Sequence, residues 1–148
     1  MAAPVLLFVV GATKAGTSWL HRYLSDHPAC HMRAIKELHY FDALDFGEMD
    51  RQRQHIEGHK AWLIGRTDTD NERQFANAIR QLGHVEHWLS VLATGQEDID
   101  AYLGYLLGGL EDETVVGDMT PAYSLLSEER LRMMAVAPKY SKTAGRCQ

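Results

Sequence analysis

An apolar run, Val5 to Val10, leads directly into Gly-Ala-Thr-Lys-Ala-Gly-Thr-Ser at residues 11–18, and then into Trp19-Leu20-His21-Arg22-Tyr23-Leu24. A short apolar run stopped by glycine suits a buried strand, and hydroxyl residues ahead of an apolar-periodic stretch suit a helix start. Strand, loop and helix in this order put the loop at the carboxyl end of the strand. There the free N–H groups of the first helical turn and the positive end of the helix dipole point outward together. Such a junction cradles phosphate-like anions. Gly11 and Gly16 allow the backbone to wrap closely, and Lys14 adds a full charge on a long arm.

The spacing narrows the class of anion. In the usual nucleoside-triphosphatase loop the lysine follows the second glycine. Here it precedes it, as Gly11-x-x-Lys14-x-Gly16-Thr17-Ser18, which argues against an ordinary ATPase or GTPase. The pattern resembles the 5′-phosphosulfate-binding loop of sulfotransferases, whose donor is 3′-phosphoadenosine 5′-phosphosulfate. The resemblance implies that the backbone N–H groups from Ala15 through Gly16 and Thr17 to Ser18, with the hydroxyls of Thr17 and Ser18, bind the 5′-phosphate. It implies that Lys14 also contacts the donor and stabilises the departing phosphate oxygen.

Two more segments carry chemistry. In Lys36-Glu37-Leu38-His39-Tyr40-Phe41, an extended backbone would place Glu37, His39 and Phe41 on one face. A partly shielded carboxylate can serve as the base for a hydroxyl acceptor, and His39 is the competing base. Taken alone, Glu37 also reads as a surface carboxylate paired with a cation. The stretch resembles the Lys-Glu-Pro-His-Phe-Phe segment of heparan-type and related bacterial sulfotransferases, where the glutamate is the proposed base. That assigns the role to Glu37, with Leu38 in place of the proline. Gly117-Asp118-Met119-Thr120-Pro121-Ala122-Tyr123 is similar to the Gly-Glu-Lys-Thr-Pro-Ala-Tyr segment of the same family. Asp118, Thr120 and Tyr123 are then expected to line the substrate site, and the cationic contact of many relatives is lost or moved at Met119. A strand-to-helix turn fixed by Pro121 accounts for the same residues without a ligand.

The rest of the chain supplies a frame. A helix is expected from Ser18 to about Asp26, with Trp19, Leu20, Tyr23 and Leu24 on one face, ended by Pro28. His31 to Phe41 reads as extended. Residues 42–68 read as an excursion from the sheet, anchored by Trp62-Leu63-Ile64, with a solvated face from Asp50 to Lys60. Thr69-Asp70-Asn71-Glu72 reads as a capping box opening a helix with Phe75, Ile79, Leu82, Leu89 and Leu92 on one face, ended by Gly95. A second helix carries Ile99, Tyr102, Leu103, Leu106, Leu107 and Leu110, with Gly108-Gly109 near its end. Thr114 to Gly117 is a strand, and Ser127 caps a last helix holding Leu131, Met134 and Val136 before Pro138. This order predicts an α/β fold with a mostly parallel sheet, whose ligands sit at the carboxyl ends of the strands. The resemblance refines it to a P-loop-like three-layer fold.

Composition sets the outer bounds. With 148 residues there is room for one domain, and a net charge of −5 gives no basic field for nucleic acid. Two cysteines, Cys30 and Cys147, make no disulfide framework and suit a reducing, cytoplasmic location. The apolar N-terminal run is too short to span a membrane. His55 with His59 and His84 with His87 have helical spacing but fit no metal motif, so no metal is expected.

The resemblance covers Val5 to about Pro138 and then ceases. It implies a partial sulfotransferase domain at residues 1–138, the phosphosulfate-binding half, with an irregular tail at 139–148 and an apparently truncated C-terminus. Arg146 lacks the strand and proline that accompany the family's 3′-phosphate arginine, so that subsite is expected to be incomplete. The sheet is expected to keep an unpaired edge open to self-association. The activity implied is transfer of a sulfuryl group to a hydroxyl or amine, with carbohydrates among the acceptors. Two other readings remain: a nucleotide kinase-like phosphotransferase, for which Asp118 is the available Mg²⁺ carboxylate, and a non-catalytic binding module.

Overall fold

The structure, a computed structural model, describes residues 3–136. The elements are β1 (Val5–Val9), α1 (Thr17–Asp26), β2 (Cys30–Met32), α2 (Tyr40–Asp45), α3 (Met49–Gly65), α4 (Glu72–Leu92), α5 (Ile99–Leu107), β3 (Val115–Met119), a 3-10 turn (Pro121–Leu125) and α6 (Glu128–Val136). This is an α/β architecture with a small open sheet of three parallel strands in the order β1-β3-β2. β3 lies in the middle. It pairs with β1 from Val5↔Val115 to Val9↔Met119, and with β2 from Cys30↔Val115 to Met32↔Gly117. The register brings the loop after Val9 and the turn after Met119 out on the same edge. Gly117 keeps β3 thin where β2 crosses it: a Cβ there would lie 2.4 Å from Met32 Sδ.

The core is aromatic and is organised by residues 38–41. Tyr40 stacks on Tyr102 at 4.9 Å between ring centroids, Phe41 meets Tyr102 edge-on at 5.0 Å, and Trp88 packs on Tyr105 at 4.8 Å. All five rings are buried. This packing corrects the extended reading of His31 to Phe41. Strand ends at Met32 and helix begins at Tyr40. Adjacent residues of a strand point to opposite faces, whereas a helix start lets Tyr40 and Phe41 enter one core together.

Other expectations shift for similar reasons. Trp19 and Tyr23 of α1 are 68% and 53% exposed and stack on each other at 5.4 Å instead of entering the core. In α4 the buried stripe is Ala78, Val85, Trp88, Val91 and Leu92, while Phe75 and Ile79 stay exposed. Of Trp62-Leu63-Ile64, only Leu63 is an anchor. The cap of α4 is Asn71, whose side chain accepts the Gln74 N–H at 3.0 Å; the Thr69 hydroxyl accepts the Asn71 N–H at 3.2 Å. Gly95, at φ 64°, follows the helix end as expected, and Ser127 Oγ accepts the Arg130 N–H at 3.1 Å. Arg130 ties α6 to the core: it pairs with Asp45 and Glu97 and lies 5.5 Å from the Phe41 ring. Pro138, Cys147 and the expected tail lie outside the described residues. Among those described, no helix is long and apolar enough to cross a membrane.

Candidate functional site

The loop between β1 and α1 is shaped by two left-handed residues, Lys14 at φ 60° and Gly16 at φ 81°. A lysine in this region is uncommon and points to a local constraint. The Ala15 N–H donates to Ala12 O at 3.1 Å and closes the turn. It is therefore engaged, contrary to the expectation that Ala15 begins the anion-binding series. The N–H groups of Gly16, Thr17 and Ser18 donate to nothing among the described residues, and α1 has no side-chain cap. Thr17 is buried. Lys14 is exposed and has no ion-pair or hydrogen-bond partner among the described residues.

The loop forms one wall of a cavity of about 370 Å³; Glu37, His39 and Ala122 form the other. Lys36 joins the walls. Its Nζ donates to Ser18 Oγ at 3.0 Å and to Glu37 Oε1 at 3.1 Å. His39 lies between two carboxylates, with Nε2 3.3 Å from Glu37 Oε2 and Nδ1 2.7 Å from Asp42 Oδ2. The Asp42 hydrogen bond, aided by the charges of Asp42 and Glu37 and opposed by burial, raises the His39 pKa above the usual histidine value. Protonated His39 donates from both ring nitrogens. It is thus better placed to hold Glu37 than to compete with it as a free base.

Asp118, Thr120 and Tyr123 lie beneath the site rather than in its lining, at 2%, 0% and 0% exposure. Asp118 Oδ2 accepts hydrogen bonds from Tyr102 OH at 2.6 Å and Tyr123 OH at 2.9 Å, and Oδ1 accepts one from Thr120 Oγ1 at 2.7 Å. Burial raises the Asp118 pKa, and the three hydroxyl donors work against that rise. The same hydroxyls reach the site backbone: Thr120 Oγ1 accepts the Leu38 N–H at 3.0 Å, and Tyr123 OH accepts the Tyr40 N–H at 3.2 Å. Gln52 Nε2 donates to Leu38 O at 3.2 Å from α3. The third motif therefore positions residues 37–39, and its Pro121 and Ala122 face the cavity in place of the three expected residues.

The approach to Lys36 is pinned from α4 and α5. Arg33 donates to Gly108 O at 2.9 Å, lies 4.5 Å from the Tyr105 ring, and is 3.2 Å from His87 Nδ1. His84 Nδ1 accepts the Ala34 N–H at 2.9 Å, which requires that nitrogen to be unprotonated. Burial and then the nearby Arg33 charge lower the His84 pKa to about 4. The unfolded chain therefore takes up a proton at His84 near pH 6.5, before the folded chain does at about 4. Stability should fall as pH drops through that window. Urea unfolding of His84→Gln against pH is expected to show a shallower acid slope than the parent between those limits; equal slopes would remove His84 as the cause. Among the described residues, no group of three or more His, Cys, Asp or Glu side chains is arranged to hold a metal ion.

Sequence reasoning missed Asp42, Gln52 and Tyr102. Asp42 sits three residues after His39, a spacing that becomes a contact only when a helix begins between them. Gln52 and Tyr102 meet the site from separate helices, and no local pattern announces that. The chain matches no protein-family model, no curated protein and no solved structure.

Proposed function

We propose that this chain is a sulfotransferase-type domain of P-loop-like character, acting on 3′-phosphoadenosine 5′-phosphosulfate and a hydroxyl or amine acceptor. One observation carries the reading: the N–H groups of Gly16, Thr17 and Ser18, without partners among the described residues, line with Lys14 the same cavity as Glu37. An anion site and a carboxylate facing across one small cavity are what in-line transfer of a charged group requires. The loop side of the cavity offers cations, N–H groups and hydroxyls, which fits a phosphosulfate anhydride.

The chemistry follows from the placement. Gly16 to Ser18 hold the donor's 5′-phosphate. Glu37 takes the proton from the acceptor as the acceptor's oxygen or nitrogen forms its bond to sulfur. The bond from sulfur to the phosphate oxygen breaks, and Lys14 stabilises the electron pair left on that oxygen. The acceptor enters from a second cavity of about 430 Å³, which shares His39 and Ala122 with the first and is lined further by Phe46, Arg51 and His55.

The kinase-like alternative loses support from Asp118, which is buried with its oxygens taken by three hydroxyls. Isothermal titration separates the readings. Saturable, magnesium-independent binding of 3′,5′-diphosphoadenosine is the expected result. Magnesium-dependent ATP binding would favour a phosphotransferase, and no heat with either would favour a non-catalytic module.

A further inference from the structure

Lys36 stands between two groups that serve different parts of the proposed reaction. Ser18 Oγ, at 3.0 Å from its Nζ, belongs to the first turn of α1, beside the N–H groups that have no partner among the described residues. Glu37 Oε1, at 3.1 Å, belongs to the carboxylate across the cavity. In the free protein Glu37 therefore has a basic side chain at each oxygen, Lys36 at Oε1 and His39 at Oε2. Both oxygens of a carboxylate held in that way are engaged, so neither is turned to an acceptor. An anion seated on Gly16 to Ser18 would lie within reach of the same ammonium, which has three donors to share. A phosphosulfate anhydride carries two negative charges to the carboxylate's one and competes for it.

We propose that Lys36 is a positioning residue that holds Glu37 while the anion cradle is free and turns to the anion when the cradle fills, releasing Glu37 Oε1 toward the acceptor. The base then becomes effective only after the donor is in place, so donor binding precedes acceptor activation. The role of Glu37 as base rests on the sulfuryl-transfer reading; the exchange of Lys36 between two anions does not. The charged groups facing Glu37 are Lys36 and His39 from its own segment and Lys14 from the loop, with Asp42 acting through His39.

The test follows the Glu37 side-chain carboxyl by carbon-13 NMR at neutral pH in the full chain, with and without inorganic sulfate. In the parent protein, sulfate is expected to shift the Glu37 carboxyl signal as Lys36 leaves Oε1. Lys36→Met keeps the aliphatic stem and leaves Lys14 and His39 in place. In that variant the sulfate-free signal should already lie near the parent's sulfate-bound position, most of the sulfate response should vanish, and sulfate should bind about tenfold more weakly. Lys36→Arg, which keeps the charge, should retain the response. An equal sulfate response in the parent and Lys36→Met would mean that the anion acts on Glu37 directly, and it would overturn the exchange while leaving the anion site intact. Absence of sulfate binding to the parent would overturn both the loop assignment and the exchange.

Discussion

Replacing Lys14 by alanine is expected to lower sulfuryl transfer by about 10²–10³-fold and to leave the unfolding midpoint unchanged. The two halves of this expectation have separate grounds. Lys14 is exposed and has no partner among the described residues, so folding does not depend on its charge. Charge that develops on a departing phosphate oxygen is stabilised only by groups aimed at it, and in the proposed reaction Lys14 is the loop's own full charge for that role. Its backbone is left-handed at φ 60°, and the residue lines the cavity. Alanine at that φ also bears the strain that lysine bears, so the backbone contribution to the comparison is small. A labelled-sulfate transfer assay with parallel urea unfolding measures both halves. Near-parental turnover would remove Lys14 from the reaction, and a large drop in midpoint would show a structural role instead.

The largest stability effect is expected at Asp118. Its carboxylate accepts from Tyr102, Thr120 and Tyr123 in a region with almost no solvent. Asp118→Ala strands three buried hydroxyls and opens space beneath the site. A cost of about 3–5 kcal/mol is expected, a large share of the roughly 5–15 kcal/mol that holds a domain together. Asp118→Asn keeps one acceptor oxygen and should cost about half as much. Thr120 and Tyr123 also hold the N–H groups of Leu38 and Tyr40, so the proton transfer proposed for Glu37 should weaken along with stability. Equilibrium unfolding in urea gives the values. A loss below about 1 kcal/mol for Asp118→Ala would mean that the three hydroxyls find other partners and that the network does not fix residues 37–39.

The split between what the chain displays locally and what it hides follows from the range of the interactions. The β1–loop–α1 unit is legible because strand, glycines and helix start lie within a few residues of one another, and each obeys its own local rule. β3 and the helices around Tyr102 and Val85 are legible for the same reason, although the buried stripe of α4 runs through Ala78 and Trp88 rather than Phe75 and Ile79. Glu37 and His39 were found together, yet for an extended chain; the helix at Tyr40 is dictated by a core assembled from α2, α4 and α5, which periodicity in residues 31–41 does not contain. The third motif shows the limit most plainly. Asp118, Thr120 and Tyr123 have the polar character of a substrate site, and only the packing of Tyr102 against β3 turns them into a buried bracket. Polar residues at the end of a central strand satisfy either description until their burial is known.

The account depends on an oxyanion held by the backbone at the start of α1. The most direct measurement is a nitrogen-15 NMR titration of the full chain with 3′,5′-diphosphoadenosine, following the amides of Gly16, Thr17 and Ser18. Saturable movement of these three signals, larger than at Ala15, whose N–H is already bonded to Ala12, is the result expected. Signals at residues 16–18 that stay in place while the nucleotide is bound elsewhere, or not bound at all, would contradict it.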